Sequence, residues 1–329
     1  MNKTMLAILR VLDKHRESVI GSREISRQLK LHGVDLSERT VRYHLKIMDA
    51  RGLTRVYGKE GRKITRKGSE ELANALVSER VGFIISRIET LSYQTSLDLA
   101  TSAGQVILNV SCFPARSLQE AVRIMKPVFA SPYVMSDRVV LAREGQGIGD
   151  VVVPEGMVGM GTVCSVTING LLLKAGIPIA SKFGGLVEVD EEGPTRFVAL
   201  ISYEGSSLDP HVVFMKSRMT SATDAVKHRA GKILASFREI PVVCIEEARR
   251  LNERMHEMGI GGILLIGEPN QPLLEMPVGR DRAGVVVVGG LNPVAALEEA
   301  GMTTENTAMS ILYEYSELAP FKEAVKAVQ

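Results

Sequence analysis

The sequence predicts a mixed α/β protein in two parts: a small helical module, then a larger part in which strand and helix patterns alternate. Residues 1–67 carry 17 Lys and Arg against 7 Asp and Glu, whereas the remaining chain carries 23 against 31. Apolar residues recur at helical spacing in the first part and form short runs between helical segments in the second. The formal net charge of +2 therefore combines a basic module with an acidic remainder.

Length and composition limit the class of protein. A chain of 329 residues with 45% hydrophobic content can form two or three domains at roughly 150 residues each. Its apolar runs are shorter than the ~20 residues of a membrane span, and charged residues interrupt the N-terminal helix pattern, so we expect a cytoplasmic protein. Cys112, Cys164 and Cys244 form no CxxC pair and no His cluster accompanies them, which predicts reduced thiols and no metal site.

Three helices are predicted in the basic module. The first covers Lys3–His15, and Ser22 is a candidate N-cap for the second, Arg23–Leu31. Ser37 is placed to cap the third, Glu38–Arg51, whose apolar face would pack on the other two. The opposite face of this third helix exposes cationic and hydroxyl side chains that suit phosphates and base edges.

A β-hairpin is predicted after these helices. The strand-like runs Leu53–Tyr57 and Arg62–Thr65 flank a loop with glycines at both ends. Three helices and a basic hairpin form a winged helix-turn-helix, which binds double-stranded DNA, commonly as a dimer on a palindromic operator. The alternatives are a solvated basic face and a winged helix used for protein contacts. The predicted DNA-binding residues are Arg39, Thr40, Arg42, Tyr43, Lys46, Lys59, Arg62 and Lys63.

The acidic part is predicted to be a mixed α/β domain. We place a winged helix-turn-helix at residues 1–67, a connecting helix at 68–80 and the α/β domain at 81–320. Thr162 is predicted to cap a helix over Val163–Ala175, and the preceding GMVGMG run is interpreted as a turn rather than a dinucleotide site. The further predicted strands are Gln105–Val110, Val139–Ala142, Val151–Val153, Pro178–Val189, Arg196–Tyr203, Ile233–Phe237, Ile263–Gly267 and Val285–Gly290.

No catalytic motif is visible in the sequence. The chain has no GxxxxGK[ST], HExxH or GxSxG pattern, and its histidines have no nucleophile or metal partner nearby in sequence. We therefore expect a protein that is not an enzyme and that carries no cofactor.

Several long strings resemble one family, the archaeal nitrogen-regulation repressors of the NrpR type. They include TINGLLLKAGIP at Thr167–Pro178, RFVALISYEGSSLDP at Arg196–Pro210 and ASFREIP at Ala235–Pro241. The resemblance covers roughly residues 81–315 behind a winged helix. It implies a homodimeric repressor of nitrogen-assimilation genes that leaves its operator when 2-oxoglutarate binds the α/β effector domain.

A dianion such as 2-oxoglutarate requires cationic groups, backbone amides at a helix start and hydroxyls. Within the family-like strings, each cation could instead form a surface or structural ion pair. The predicted effector-binding residues are Thr162, Cys164, Ser165, Thr167, Lys182 and Arg238.

Two other functions stay open at this point. The α/β domain could dock a second NrpR-type co-repressor or a basal transcription factor without binding a ligand. Less favoured is an enzyme with a DNA-binding head, since no nucleophile, base or metal cluster is recognisable.

Overall fold

The computed structural model describes residues 3–16, 18–31, 33–75 and 82–328. They belong to two compact units, Met1–Val81 and Gly82–Gln329. The elements of the first unit are α1 Lys3–Lys14, α2 Ser22–Leu31, α3 Glu38–Ala50, the hairpin strands β1 Thr54–Tyr57 and β2 Gly61–Ile64, and α4 Arg66–Ala75.

The first unit is the predicted winged helix. The apolar faces of α1, α2 and α3 form its core, in which Ile8, Ile25 and Leu45 are fully buried. Helix α4 packs against α1 and contributes the buried Leu72. The first residues of the predicted connecting helix 68–80 therefore belong to this core, and its last residues, 76–80, lie outside the described part of the chain.

Ser37 caps α3, as the sequence predicts. Its hydroxyl accepts the Thr40 N–H at 3.1 Å, and its backbone is extended. Such a cap stabilises a helix because it pairs a backbone donor that has no partner within the helix.

We expect Ser37→Ala to lower the free energy of unfolding of this unit by about 1 kcal/mol. Ser37→Asp should retain the stability, since a carboxylate accepts the same bond. Urea unfolding of the full chain, followed by far-ultraviolet circular dichroism, measures both variants. Equal stability of Ser37→Ala and the wild type would contradict the prediction.

The second unit is the α/β domain, and two antiparallel sheets organise it. Its helices are α5 Phe83–Gln94, α6 Leu118–Phe129, α7 Val166–Lys174, α8 Pro210–Lys216, α9 Ala222–Lys227, α10 Ile245–Glu257, α11 Asn292–Glu299 and α12 Phe321–Val328. Its strands are β3 Gln105–Pro114, β4 Arg138–Arg143, β5 Gly147–Ile148, β6 Val151–Val152, β7 Met157–Val163, β8 Ala180–Asp190, β9 Gly193–Ser202, β10 Gly231–Pro241, β11 Ile263–Ile266, β12 Arg282–Val288, β13 Glu305–Glu314 and β14 Ala319–Pro320.

The strand order is β13-β3-β7-β4-β14 in one sheet and β11-β12-β10-β8-β9 in the other. All neighbours in these sheets are antiparallel. The central strands β3 and β10 are buried along almost their whole length, and polar residues such as Asn109 and Arg238 are buried with their apolar neighbours. Helix α12 lies beyond the predicted domain end at 320, and its Phe321 ring stacks on Phe129 at 4.2 Å.

The prediction for Thr162 is wrong. Residues Met157–Val163 form strand β7, and the following helix begins only at Val166, so Thr162 pairs within a sheet and caps nothing. The interpretation of GMVGMG as a turn is wrong for the same reason. A Cβ at Gly159 would lie 2.5 Å from Val153, and one at Gly161 would lie 2.6 Å from Val140. Close packing on a strand therefore requires these glycines.

Candidate functional site

The exposed face of α3 carries the predicted DNA-binding side chains of this helix. Arg39, Arg42 and Lys46 are exposed, and Tyr43 is 63% exposed. Thr40 is half-buried, and its hydroxyl lies 2.8 Å from the Ser37 hydroxyl. An exposed aromatic ring among cations is suited to contacts with bases and phosphates.

A cleft of about 460 Å³ separates this face from the hairpin. Arg42 and Lys46 line one side, and Lys59 and Arg62 line the other. The structure thus brings the helix and hairpin predictions together, with the exposed Lys59 at the tip and the half-buried Lys63 on the return strand. The cationic side chains that line this cleft supply positive charge for a nucleic-acid backbone.

Two arginines of the predicted set are held by carboxylates. Arg62 pairs with Asp49, its Nε lying 2.9 Å from Oδ2, and the two side chains are only 19% and 20% exposed. Arg62 therefore fixes the hairpin to α3 in addition to lining the cleft. Arg42 is exposed and pairs with Glu38, and its Nε donates to the Ser22 hydroxyl at 3.2 Å.

The second unit contains an arginine buried without a carboxylate partner. Arg238, on β10, is 1% exposed, and within the described residues it forms no ion pair. Its Nη1 donates to Asn169 Oδ1, and its Nε has no hydrogen-bond partner. Burial lowers the pKa of this guanidinium to about 10, so it still carries a positive charge at neutral pH. A buried cation of this kind attracts an anion.

The side chains beside Arg238 connect it to a cavity. Asn169 Nδ2 donates to the Ser181 hydroxyl at 2.9 Å, and Ser181 is the cross-strand neighbour of Arg238. Asn169, Ser181 and Lys182 line a cavity of about 310 Å³, whose other lining residues include Glu89 and Glu204. Arg238 thus lies behind a cavity wall made of neutral polar groups.

Lys182 is held by a neighbouring strand. Its Nζ lies 3.5 Å from Glu239 Oε2, and its side chain is 37% exposed. Glu239 also accepts the Gly279 N–H at 3.0 Å. Because an ammonium group has three N–H donors, Lys182 keeps donor capacity beyond its pairing with Glu239.

The remaining predicted effector residues lie in three different surroundings. Cys164 and Ser165, at the start of α7, are buried near Tyr203 and His211. Burial raises the pKa of the Cys164 thiol to about 12, which leaves it protonated and unreactive. Thr167 uses its hydroxyl to accept the Ile107 N–H at 3.1 Å, which makes it structural. Thr162 lies in β7, and its buried hydroxyl has no partner.

Sequence reasoning missed Asn169, Ser181, Tyr203 and His211. Each is buried against a residue distant in sequence. The local periodicity of the sequence therefore does not indicate that it belongs to a site. Asn169 did offer a different signal, since it is a polar residue between the apolar Ile168 and Leu171 in the buried part of α7. A buried amide requires partners, and its partner here is Arg238.

His211 should make this unit sensitive to acid. Burial lowers its pKa below 6.5, the Asp209 carboxylate raises it, and Arg238 lowers it further; one ring nitrogen lies 3.0 Å from the Ala235 carbonyl oxygen. Because the folded pKa is below the unfolded value, the neutral ring stabilises the unit above pH 6.5 and this stability is lost as the pH falls.

We expect the fall to approach about 1.4 kcal/mol per pH unit below that value. Thermal melts between pH 7.5 and 5 should show a smaller fall for His211→Gln than for the wild type. The exposed His256 provides the control, and a His256→Gln profile that matched the His211→Gln profile would contradict the assignment.

Comparisons with known proteins agree with these features. A model of the NrpR regulatory domains NRD1 and 2 matches residues 81–320. The global nitrogen regulator NrpRI of Methanosarcina mazei is 37% identical over 96% of this chain and 97% of its own length. The chain belongs to the NrpR family.

Other members of the NrpR family are longer. The global nitrogen regulators NrpR of Methanococcus maripaludis and Methanocaldococcus jannaschii are 30% and 31% identical, and the match spans 52% and 56% of their lengths. A crystal structure of a nitrogen repressor-like protein from Methanococcus jannaschii superposes with a TM-score of 0.59 at 32% identity, over 72% of this chain and 97% of that one.

The N-terminal unit has a match of its own. A model of the ribonuclease R winged-helix domain matches residues 6–72 of this NrpR-family chain. That range includes most of α4, in line with the packing of α4 on the helical core. In the described residues, no helix is both long and apolar enough to span a membrane, and no three His, Cys, Asp or Glu side chains are grouped to hold a metal ion.

Proposed function

We propose that this protein is a transcriptional repressor of nitrogen-assimilation genes that releases its operator when 2-oxoglutarate binds the second unit. The observation that carries the ligand half of this proposal is the unpaired, buried guanidinium of Arg238 beside a cavity. The exposed cationic face of α3 and the hairpin support the DNA half. In this reading the protein binds its ligand and does not transform it.

The hydrogen bond between Arg238 and Asn169 supports a ligand position at this guanidinium. Asn169 Oδ1 now accepts from the guanidinium, and a carboxylate that took this acceptor position would neutralise a buried charge. The second carboxylate of the dianion would reach Lys182 on the same cavity wall. A dicarboxylate supplies one carboxylate for each of these two cations, whereas a monoanion supplies only one.

Release from DNA requires only that the ligand prefer a non-binding arrangement of the protein. A coupling free energy of about 1 to 3 kcal/mol changes operator affinity by roughly 5- to 150-fold. We propose that two chains occupy the half-sites of a palindromic operator, because helix-turn-helix proteins commonly bind as dimers. The ligand would then alter the spacing of the two winged helices.

The test is an operator-binding titration at fixed salt. The purified chain is bound to a palindromic fragment from upstream of a nitrogen-assimilation gene and titrated with 2-oxoglutarate, with succinate as the control for charge. We expect release by 2-oxoglutarate at concentrations that leave succinate without effect. Tight binding with no release by either acid would contradict the proposed response to 2-oxoglutarate. It would leave the proposed DNA binding unchanged.

A second candidate function follows from chain length. This chain matches only 52% of the Methanococcus maripaludis regulator, so the longer relatives have sequence for additional domains. The alternative is that the second unit docks a separate NrpR-type co-repressor or a basal transcription factor. Co-purification of such a partner, lost when residues 82–328 are removed, would favour this alternative.

A further inference from the structure

The second unit contains one series of six elements that occurs twice. The series β3, α6, β4, β7, α7 and β8 recurs in the same chain order as β10, α10, β11, β12, α11 and β13. The sheets have matching strand orders, β13-β3-β7-β4 in one and β8-β10-β12-β11 in the other. We call residues 105–190 the first repeat and residues 231–314 the second repeat.

Backbone hydrogen bonds establish the residue equivalence. At the start of the helix in the first repeat, the Cys164 N–H donates to the Ile107 carbonyl at 2.8 Å. In the second repeat, the Gly289 N–H donates to the Leu234 carbonyl at 2.7 Å. Each donor follows the last residue of its strand, and each acceptor lies on the neighbouring strand.

Side chains repeat the correspondence three residues later. Thr167 Oγ1 accepts the Ile107 N–H at 3.1 Å, and Asn292 Oδ1 accepts the Leu234 N–H at 2.8 Å. The helices end alike as well, with Gly176 and Gly301 at φ values of +77° and +87°. Such agreement in both bonds and backbone indicates one duplicated substructure.

The last strand of each repeat pairs with the other repeat. Strand β8 follows α7 in the chain but pairs with β10, and β13 follows α11 but pairs with β3. Arg238 on β10 therefore faces Ser181, a residue of the first repeat, and also bonds to Asn169 of that repeat. The cluster of Arg238, Asn169 and Ser181 therefore contains residues of both repeats.

The equivalent place in the other sheet has no cation. Ser111 on β3 is paired with Asn306 on β13, as Arg238 is paired with Ser181. Asn169 lies two residues after Thr167, and the residue two after Asn292 is Val294. The Arg238, Asn169 and Ser181 cluster thus corresponds to Ser111, Val294 and Asn306, which are uncharged.

We propose that each chain binds one dicarboxylate, held between the two repeats at Arg238, and that the duplicated position at Ser111 binds none. This inference rests on the proposed function for its ligand. A neutral, fully buried serine supplies neither the charge nor the forked donors that a carboxylate requires. The two repeats therefore form one anion site and not two.

Calorimetric titration of the full chain with 2-oxoglutarate tests the number of sites. We expect one site per chain, at least tenfold weaker binding in Arg238→Gln, and an unchanged number and affinity within twofold in Ser111→Ala. Two sites per chain, or fewer sites after Ser111→Ala, would overturn the inference. So would wild-type affinity in Arg238→Gln.

A second measurement needs no ligand and therefore separates this inference from the proposed function. Asn169→Asp gives Arg238 a permanent carboxylate, which should raise the melting temperature of the second unit by about 3 °C or more. Val294→Asp places the same charge at the equivalent position of α11, which is fully buried, and should lower the melting temperature because it buries a carboxylate in an apolar position. If wild-type protein binds no 2-oxoglutarate but these opposite shifts occur, the proposed effector is wrong and the single anion site stands. A fall in both variants would overturn the site itself.

Discussion

Replacing Arg238 with methionine is expected to produce a repressor that no longer responds to 2-oxoglutarate. Methionine keeps an unbranched side chain in the buried position but removes the charge that the ligand carboxylate would neutralise. Because Arg238 belongs to the second unit and the DNA-binding face to the first, operator affinity without ligand should change less than twofold.

The measurement is fluorescence anisotropy of a labelled operator fragment, titrated with 2-oxoglutarate at fixed salt. The wild type should lose roughly 5- to 150-fold in operator affinity, and Arg238→Met should lose less than twofold. Arg196→Met is the matched control, because Arg196 is 54% exposed and pairs with Glu188 at 2.8 Å. Normal release of Arg238→Met would mean that the effector binds elsewhere.

The second large effect is expected on the DNA-binding face. Tyr43→Ala should lower operator affinity and reduce the preference for operator over random sequence, because this ring is 63% exposed on the face of α3 that we propose enters the major groove. Lys59→Ala, at the hairpin tip, should weaken operator and random DNA alike and should lower the slope of log affinity against log salt by about one.

Lys322→Ala provides the control for net charge, since it removes one exposed cation from α12 in the second unit. Binding is measured at several salt concentrations on both DNA sequences. An unchanged salt slope in Lys59→Ala would remove the hairpin tip from the interface. Unchanged sequence preference in Tyr43→Ala would remove this ring from base recognition.

The winged helix could be predicted from the sequence because its signals are local. Ser37 lies three residues from the amide that it caps, and the core of α3 follows from apolar residues spaced by three and four. The contribution of Arg62 was harder to predict, since its partner Asp49 is on another element. Sequence alone could not distinguish a DNA contact from this ion pair.

The α/β domain could be predicted in class but not in detail. Gly159 and Gly161 have the composition of a turn, and only the side chains of Val153 and Val140 show why a strand requires them. Strand β13 and helices α5, α8, α9 and α12 were not predicted. Strand β13 alternates only weakly, because its residues are mostly half-buried.

The residues of the proposed effector site could be selected only in part from the sequence. Arg238 and Lys182 stand out as cations within family-like strings, and the structure places them on neighbouring strands. The roles of Asn169 and Ser181 depend on pairing between β8 and β10, which brings together residues 69 positions apart. The duplication was not predicted either, since it is preserved in bonding geometry more than in residue identity.

Strands β8 and β13, each paired with the other repeat, also determine when this protein can fold on the ribosome. Strand β3 must wait for β13, and the bond from the Met309 N–H to Asn109 Oδ1 joins residues 200 positions apart. Such distant pairing slows folding, because a long loop must close before the contact forms. During synthesis the winged helix, whose contacts are local, can complete its core while β3 still has an open edge. A nascent chain thus carries a formed winged helix before the sheets of its second unit are complete.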